Sequence, residues 1–373
     1  MTNNDSYGIR EHSSSLDVSL GEHVRRRQRE LGAALQARRA IYLDQKFWII
    51  LREVAAGERN APDEIALLEL LKEEVALGAA FCPISESTFI ELFKQEDAVT
   101  RAATAQLIDE LSLGVSLIAY DERLKLELEH LIHTKAEKQD LVPIRHIVWS
   151  KLSYVLGQIH PTQTGFDGAT EQALQKAFFD HMWSTSLSEI VRIMGGHMSP
   201  DMAFDRLAGR LNAGNAEHAH QLKSFPKTYA IELRGVLNLI APVAAGIVSD
   251  MAERAYGGSM PREGHEWNNL VLQWDAYLFK AFKDDEVKNA LRTLHINTCL
   301  HAAFRWDKAQ RFEANDFHDF HHAAAALGYC DVFLTEHDLR TMVTARHIAL
   351  DVRYSCRVAS NVKDALAVLR QPH

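Results

Sequence analysis

The stretch from Asn315 to Asp338, NDFHDFHHAAAALGYCDVFLTEHD, constrains the fold more than any other. Asp316 and Asp319 open it, three residues apart, ahead of an Ala-rich turn. After a Gly comes the short apolar run Val332-Phe333-Leu334, which stops at Thr335 in a second acidic cluster, Glu336 and Asp338. Alanines favour a helix, and a short, continuous apolar run with polar flanks is a buried strand. A helix over 316–327 is therefore expected to feed a strand over 331–334, with carboxylates at both junctions.

A strand buried on both faces needs partners, and the chain offers four more runs of that kind. Ala40-Ile41-Tyr42-Leu43 ends in Asp44. AAFCP follows at 79–83, VSLIA at 115–119, and a last run at 354–359. Helical segments at 45–56, 64–77, 86–95 and 98–111 separate the first three, and another closes the chain over 361–369. Strand and helix in alternation imply a parallel sheet with crossover helices. Between 121 and 312 no strand is expected. Segments at 124–136, 145–159, 170–193, 200–211, 230–256, 268–282 and 287–311 all read as helices punctuated by Gly and Pro. The expected organisation is a disordered Ser/Asn-rich tail (1–17), a first α/β half with an N-terminal helix (18–120), an all-α insertion (121–312) and a second α/β half (313–373).

Composition narrows the partners. A chain of 373 residues with 47% hydrophobic residues can bury a large core. Its net charge of −9 excludes a general polyanion binder, so any nucleic-acid contact must use local basic patches. One such patch lies in the expected helix 18–39, which carries Arg25, Arg26, Arg27, Arg29, Arg38 and Arg39; a solvated face is the plainer reading of that run. The cysteines at 82, 299, 330 and 356 form no CxxC pair, which excludes a zinc ribbon and fits buried thiols in a reducing compartment. The most apolar stretch, 235–248, is too short to span a bilayer. A cytoplasmic protein without membrane contact is expected.

The acids carry the chemistry. Asp44 follows the first strand, Glu91 lies on the helix after the second, and Asp316, Asp319, Glu336 and Asp338 flank the fourth. In an open parallel sheet ligands bind outside the carboxyl ends of the strands. Carboxylates gathered there repel one another unless protonated or bridged by a cation. Oxygen donors select hard cations, so Mg²⁺ or Mn²⁺ is the expected cofactor.

This ordered set resembles the PIN-like domain nucleases. The resemblance rests on Ile41-Tyr42-Leu43-Asp44, on Pro83-Ile84-Ser85 followed by Glu91, and on Asp319-x2-His322 leading to a strand that ends in Thr335. It covers roughly 40–120 and 305–370 and leaves the insertion out. It implies a PIN-like three-layer α/β domain with a five-stranded parallel sheet, interrupted by the helical insertion. The implied activity is divalent-metal-dependent hydrolysis of phosphodiester bonds, most often in RNA, and such nucleases often serve as toxins or in defence. By position Asp44, Glu91 and Asp319 match the family's first three acids, with Glu86 a rival to Glu91 on the same helix. The fourth departs from the pattern: His337 stands where the family has an acid, so Glu336 or Asp338 must substitute. Asp316 is a possible further ligand. Ser85, His322 and Thr335 are expected to support the ligands. Lys46, Arg305 and Arg311, with Trp306, are candidates for contacting nucleic acid, and a protein regulator is a possible second partner.

Two other readings remain open from the residues. A PIN-like scaffold could bind RNA or protein without cutting it. An HD-type phosphohydrolase could centre on His318-Asp319 with His130 or His133, but that fold is all-α and leaves the strand-like runs unexplained.

Overall fold

The computed structural model describes residues 5–371, apart from 138–140, 197–201, 219, 221, 259–260 and 308–309. Its strands are β1 (Arg39–Leu43), β2 (Ala80–Phe81), β3 (Val115–Leu117), β4 (Trp149–Lys151), β5 (Val332–Leu334) and β6 (Arg357–Ala359). Four of them form a parallel sheet in the order β2-β1-β5-β6. Ile41 pairs with Val332 and Leu43 with Leu334, so two segments from opposite ends of the chain make the centre.

Both faces of this sheet are buried, and the side chains alternate as a pleat requires. Ile41, Leu43, Val332 and Leu334 join one core cluster with Phe47, Leu67 and Ile108 of the covering helices. Tyr42, Phe81 and Phe333 join the other, against Phe320, Ala324 and Ile296. The sheet thus sits between two helical layers. The inner helix on the second face, Ala314–Tyr329, is buried at Ala323, Ala324, Ala325 and Ala326 in succession, which puts apolar contact on every side of it.

The expected fifth parallel strand is absent from this sheet among the described residues. Residues 115–117 instead pair antiparallel with β4, and touch the main sheet only through a single bridge between Ser116 and Ile84. β4 falls where a helix was expected over 145–159, so the insertion is not all-α. The spacing of Ile144, Val148, Leu152 and Val155 imitates a helical face, but pairing with β3 and packing of Trp149 on Phe81 at 5.2 Å prevail. Short 3₁₀ turns, Ile144–His146 and Leu152–Tyr154, flank the strand.

Other boundaries also shift. The helix expected over 170–193 splits into Gly168–Ser184 and Leu187–Met194. Ser186 caps the second, and Asp109 accepts from Leu187 N at 2.8 Å and Ser188 N at 2.9 Å, which fixes the break. The expected disordered tail is helical over Asp5–Ser13, while residues 1–4 lie outside the described residues. Asp180 holds this helix, accepting from His12 and from His23, each at 2.9 Å. The basic helix ends at Leu35 rather than 39. Arg39 begins β1 and is buried against Glu74 at 2.6 Å, and Arg27 pairs with Glu30.

The helix Phe225–Tyr256 is longer than the apolar stretch 235–248 suggested. By length and composition it could cross a membrane, yet half of its most apolar window is buried inside the protein. Leu237, Ile240 and Ala244 pack there with Leu278 and Leu294 of neighbouring helices and with Leu131 of the helix Tyr120–Lys135.

One glycine fixes a close approach. Gly32, within the helix Leu20–Leu35, would bring a Cβ to 2.1 Å from the His146 carbonyl oxygen. Gly→Ala inside a helix ordinarily gains about 1 kcal/mol. Here Gly32→Ala should instead cost at least about 1–3 kcal/mol, the usual penalty of overpacking; urea titration of the variant would show it, and a gain would mean the two segments part freely.

A carboxylate centre at the strand termini

The chain runs from β1 to β2 on one side, while β5 lies on the other side of β1. Strand order therefore reverses between β1 and β5, where a crevice opens at the strands' carboxyl ends. Asp44 leaves β1 at that point, its N–H bonded to the Leu334 carbonyl at 3.0 Å. It is the N-cap of the helix Gln45–Ala55 and accepts from Phe47 N at 3.3 Å. Only 5% of its surface is exposed. Beside it lies the buried Thr335 hydroxyl, at a geometry short of a full hydrogen bond.

Glu91 points inward and Glu86 does not join it. On the helix Glu86–Lys94, Glu91 accepts from His322 Nε2 at 2.9 Å. Glu86 turns to Arg123, at 3.2 Å in a buried ion pair. His322 is the hinge of the centre. Its Nδ1 meets the Tyr42 hydroxyl at 2.7 Å, and that hydroxyl meets Ser85 Oγ at 2.6 Å. Burial opposes a charge on His322, but Tyr42 and Glu91 outweigh it and raise its pKa well above 6.5. The imidazolium then donates from both nitrogens, to Glu91 and to the Tyr42 oxygen, which leaves the Tyr42 hydroxyl to donate its hydrogen bond to Ser85 Oγ. Ser85 is the helix N-cap residue, but its side chain makes no capping bond.

The acids feel one another. Burial raises Asp44 to about 6, with Glu336 adding to the effect. Asp319, half-buried, is raised to about 7 by burial and by the charges of Glu91, Glu336 and Asp44. Burial also opposes the charge of Glu91, yet His322, His318 and Lys94 prevail and hold its carboxyl below the usual range. Burial is the largest cause of both upward shifts, and neighbouring carboxylates add to it. The oxygens are nonetheless spread. Among the described residues, only His12, His23 and Asp180 bring three metal-capable atoms within 4.8 Å of one another. That trio is a hydrogen-bond network: Arg26 donates to His23 Nδ1 at 3.1 Å, so Nε2 carries the proton it gives Asp180 and has no lone pair for a metal.

The remaining candidates separate cleanly. Glu336, exposed after β5, adds to the upward shifts of both Asp44 and Asp319. Asp338 is exposed and lines a cleft of about 390 Å³ with Asp316, Asp319 and Trp306. Asp316 lies in the first turn of the helix Ala314–Tyr329. It closes a capping box with Glu313, accepting from its N–H at 2.7 Å.

Arg305 is largely buried. It is committed to Glu232 and Asn215. Lys46 donates to the Ser360 carbonyl at 3.1 Å. Arg311 is exposed. Lys94 is the cation that sequence reasoning missed: exposed, one helical turn past Glu91, and 2.8 Å from a His318 Nε2 kept neutral by burial and by Lys94 itself. Its spacing of three from Glu91 was the available signal. His321 stacks on Tyr120 at 4.4 Å, so the three histidines serve three different neighbours.

No protein-family model matches the chain, and neither a curated protein nor a solved structure matches it.

Proposed function

We propose that this protein is a PIN-like, divalent-metal-dependent nuclease acting on RNA. The observation that supports the reading is that Asp319, beside the point where strand order reverses, feels the charges of Asp44, Glu91 and Glu336. Asp44, Asp319 and Glu336 would hold Mg²⁺ or Mn²⁺, with Glu91 oriented by His322 and Tyr42. A bound divalent ion supplies Lewis acidity at a phosphodiester oxygen and a lowered pKa for water. The chain's own contribution is to fix the carboxylates, to keep Glu91 ionised through His322, and to offer the Lys94 ammonium to substrate phosphate.

The test is cleavage of single-stranded and structured RNA with Mg²⁺ or Mn²⁺. Asp319→Asn should lower the rate by more than the roughly 10–100-fold that outer-shell changes produce. Cleavage by Asp319→Asn at the wild-type rate would end the proposal. The wide spacing of the acids favours one alternative, a PIN-like scaffold that binds RNA or protein without cutting. That scaffold would show no carboxylate-dependent Mn²⁺ binding by titration calorimetry. What speaks against the HD-type reading is that His130 lines a cavity beside Ala40 and Asp331, at the opposite end of the strands from Asp319.

A further inference from the structure

A cavity of about 700 Å³ opens at the amino ends of β1 and β5, remote from the carboxylates. Its size is that of a small-molecule site, for which about 300–1,000 Å³ is typical. In a chain of net charge −9, its wall is basic: Arg38, Lys135, Arg145 and Arg292 stand against Asp331 and Glu286. Asp331 is already neutralised. One of its oxygens accepts from Ala40 N and the other from Arg145, both at 2.8 Å.

Arg292 is held in place before any ligand arrives. Its Nε donates to the Asn289 carbonyl at 3.1 Å, its Nη1 to the Gly328 carbonyl at 2.9 Å, and its guanidinium lies over Tyr329. Lys135, in the last turn of its helix, is exposed and forms no ion pair among the described residues. Fixed guanidinium forks beside a mobile ammonium suit phosphate. Between the cations the lining turns aromatic and apolar, with Trp149, Phe81 and Ile144. An inorganic anion would leave that part of the cavity unfilled.

We propose that this cavity is a second binding site, for a small organic phosphate of mononucleotide size with a planar body. The anionic head meets Arg292, Arg145 and Lys135, and the planar part lies along Trp149. Because the walls come from the sheet and from the helices Tyr120–Lys135 and Asp285–Ala290, the ligand ties the helical layer to the strands. Binding to the folded state alone raises thermal stability.

Calorimetric titration of the metal-free, full-length protein with adenosine 5′-monophosphate and, separately, with inorganic phosphate tests this. The nucleotide should bind roughly tenfold or more tighter than phosphate. Lys135→Glu should weaken it by roughly tenfold, since one charge-assisted contact is reversed in sign. Thr134→Trp, at an exposed position on the cavity wall, should block it by bulk without changing charge. Absence of nucleotide binding, nucleotide binding no tighter than phosphate, or unaltered binding in both variants would each overturn the proposal. So would loss of binding in Asp44→Asn, which would move the ligand to the carboxylate centre.

Discussion

Replacing Asp44 with Asn should make the metal-free protein more stable at pH 8, while removing cleavage. The sign follows from the raised pKa. Asp44 titrates near 6 in the folded chain against 3.8 ordinarily, because burial and Glu336 disfavour its charge. A carboxyl raised on folding costs nothing below pH 3.8, costs progressively more as pH climbs to 6, and costs its full amount above that. At about 1.4 kcal/mol per pH unit, the penalty relieved by Asn is on the order of 2–3 kcal/mol. Asn also preserves the helix cap on Phe47 N, which keeps the backbone in place. Thermal denaturation in chelator at pH 4 and pH 8 measures it: the variant should gain at pH 8 and lose that advantage at pH 4. An acid retained for structure would behave in the opposite way, and a destabilised variant at pH 8 would remove Asp44 from the cation site.

His322→Leu should be the most damaging single change at the centre. It strips Glu91 of its partner in a site where Glu91 is 4% exposed. Breaking a buried ion pair from one side costs about 3–5 kcal/mol, because the remaining charge stays buried. The second change Glu91→Gln removes that stranded charge, so the double variant should recover much of the loss. Urea denaturation of wild type, both single variants and the double variant gives the coupling directly. If the double variant is as unstable as the two losses summed, His322 and Glu91 are not a pair. The pH dependence runs opposite to that of Asp44. A His whose folded pKa is raised contributes its full stability below 6.5 and loses it as pH rises through the folded value, which here lies well above 6.5. The pair therefore outlasts the pH at which a free imidazole loses its charge.

The sequence shows the centre better than its surroundings. Asp44 was legible because an acid ending a fully apolar run marks the carboxyl end of a buried strand, and β1 ends at Leu43. Asp319 and Glu91 were singled out by their positions in the resemblance. The role of Tyr42 was hidden, since its pattern position is that of a core strand residue and its partner His322 lies 280 residues away. Arg305 misled for a related reason: its charge is visible in the sequence, but the Glu232 that consumes it is not. β4 was missed because three residues are too few for period-2 alternation to stand out against a helical spacing. The register that makes β3 its partner depends on a turn at Leu113 and Gly114, both in the left-handed region.

The pairing of β1 with β5 also sets the order in which the molecule can be completed. Ile41 and Val332 are register partners at the sheet centre, yet most of the chain lies between them. Contacts of such long separation must pay loop-closure entropy before they contribute, and they form slowly. During synthesis Asp44 and Glu91 emerge well before Asp319, His322 and β5. The crevice therefore has no far wall, and Glu91 no counter-charge, until β5 has been made. The helices between can fold meanwhile and shorten the effective gap. Any activity of this centre is thus withheld until β5 has joined β1.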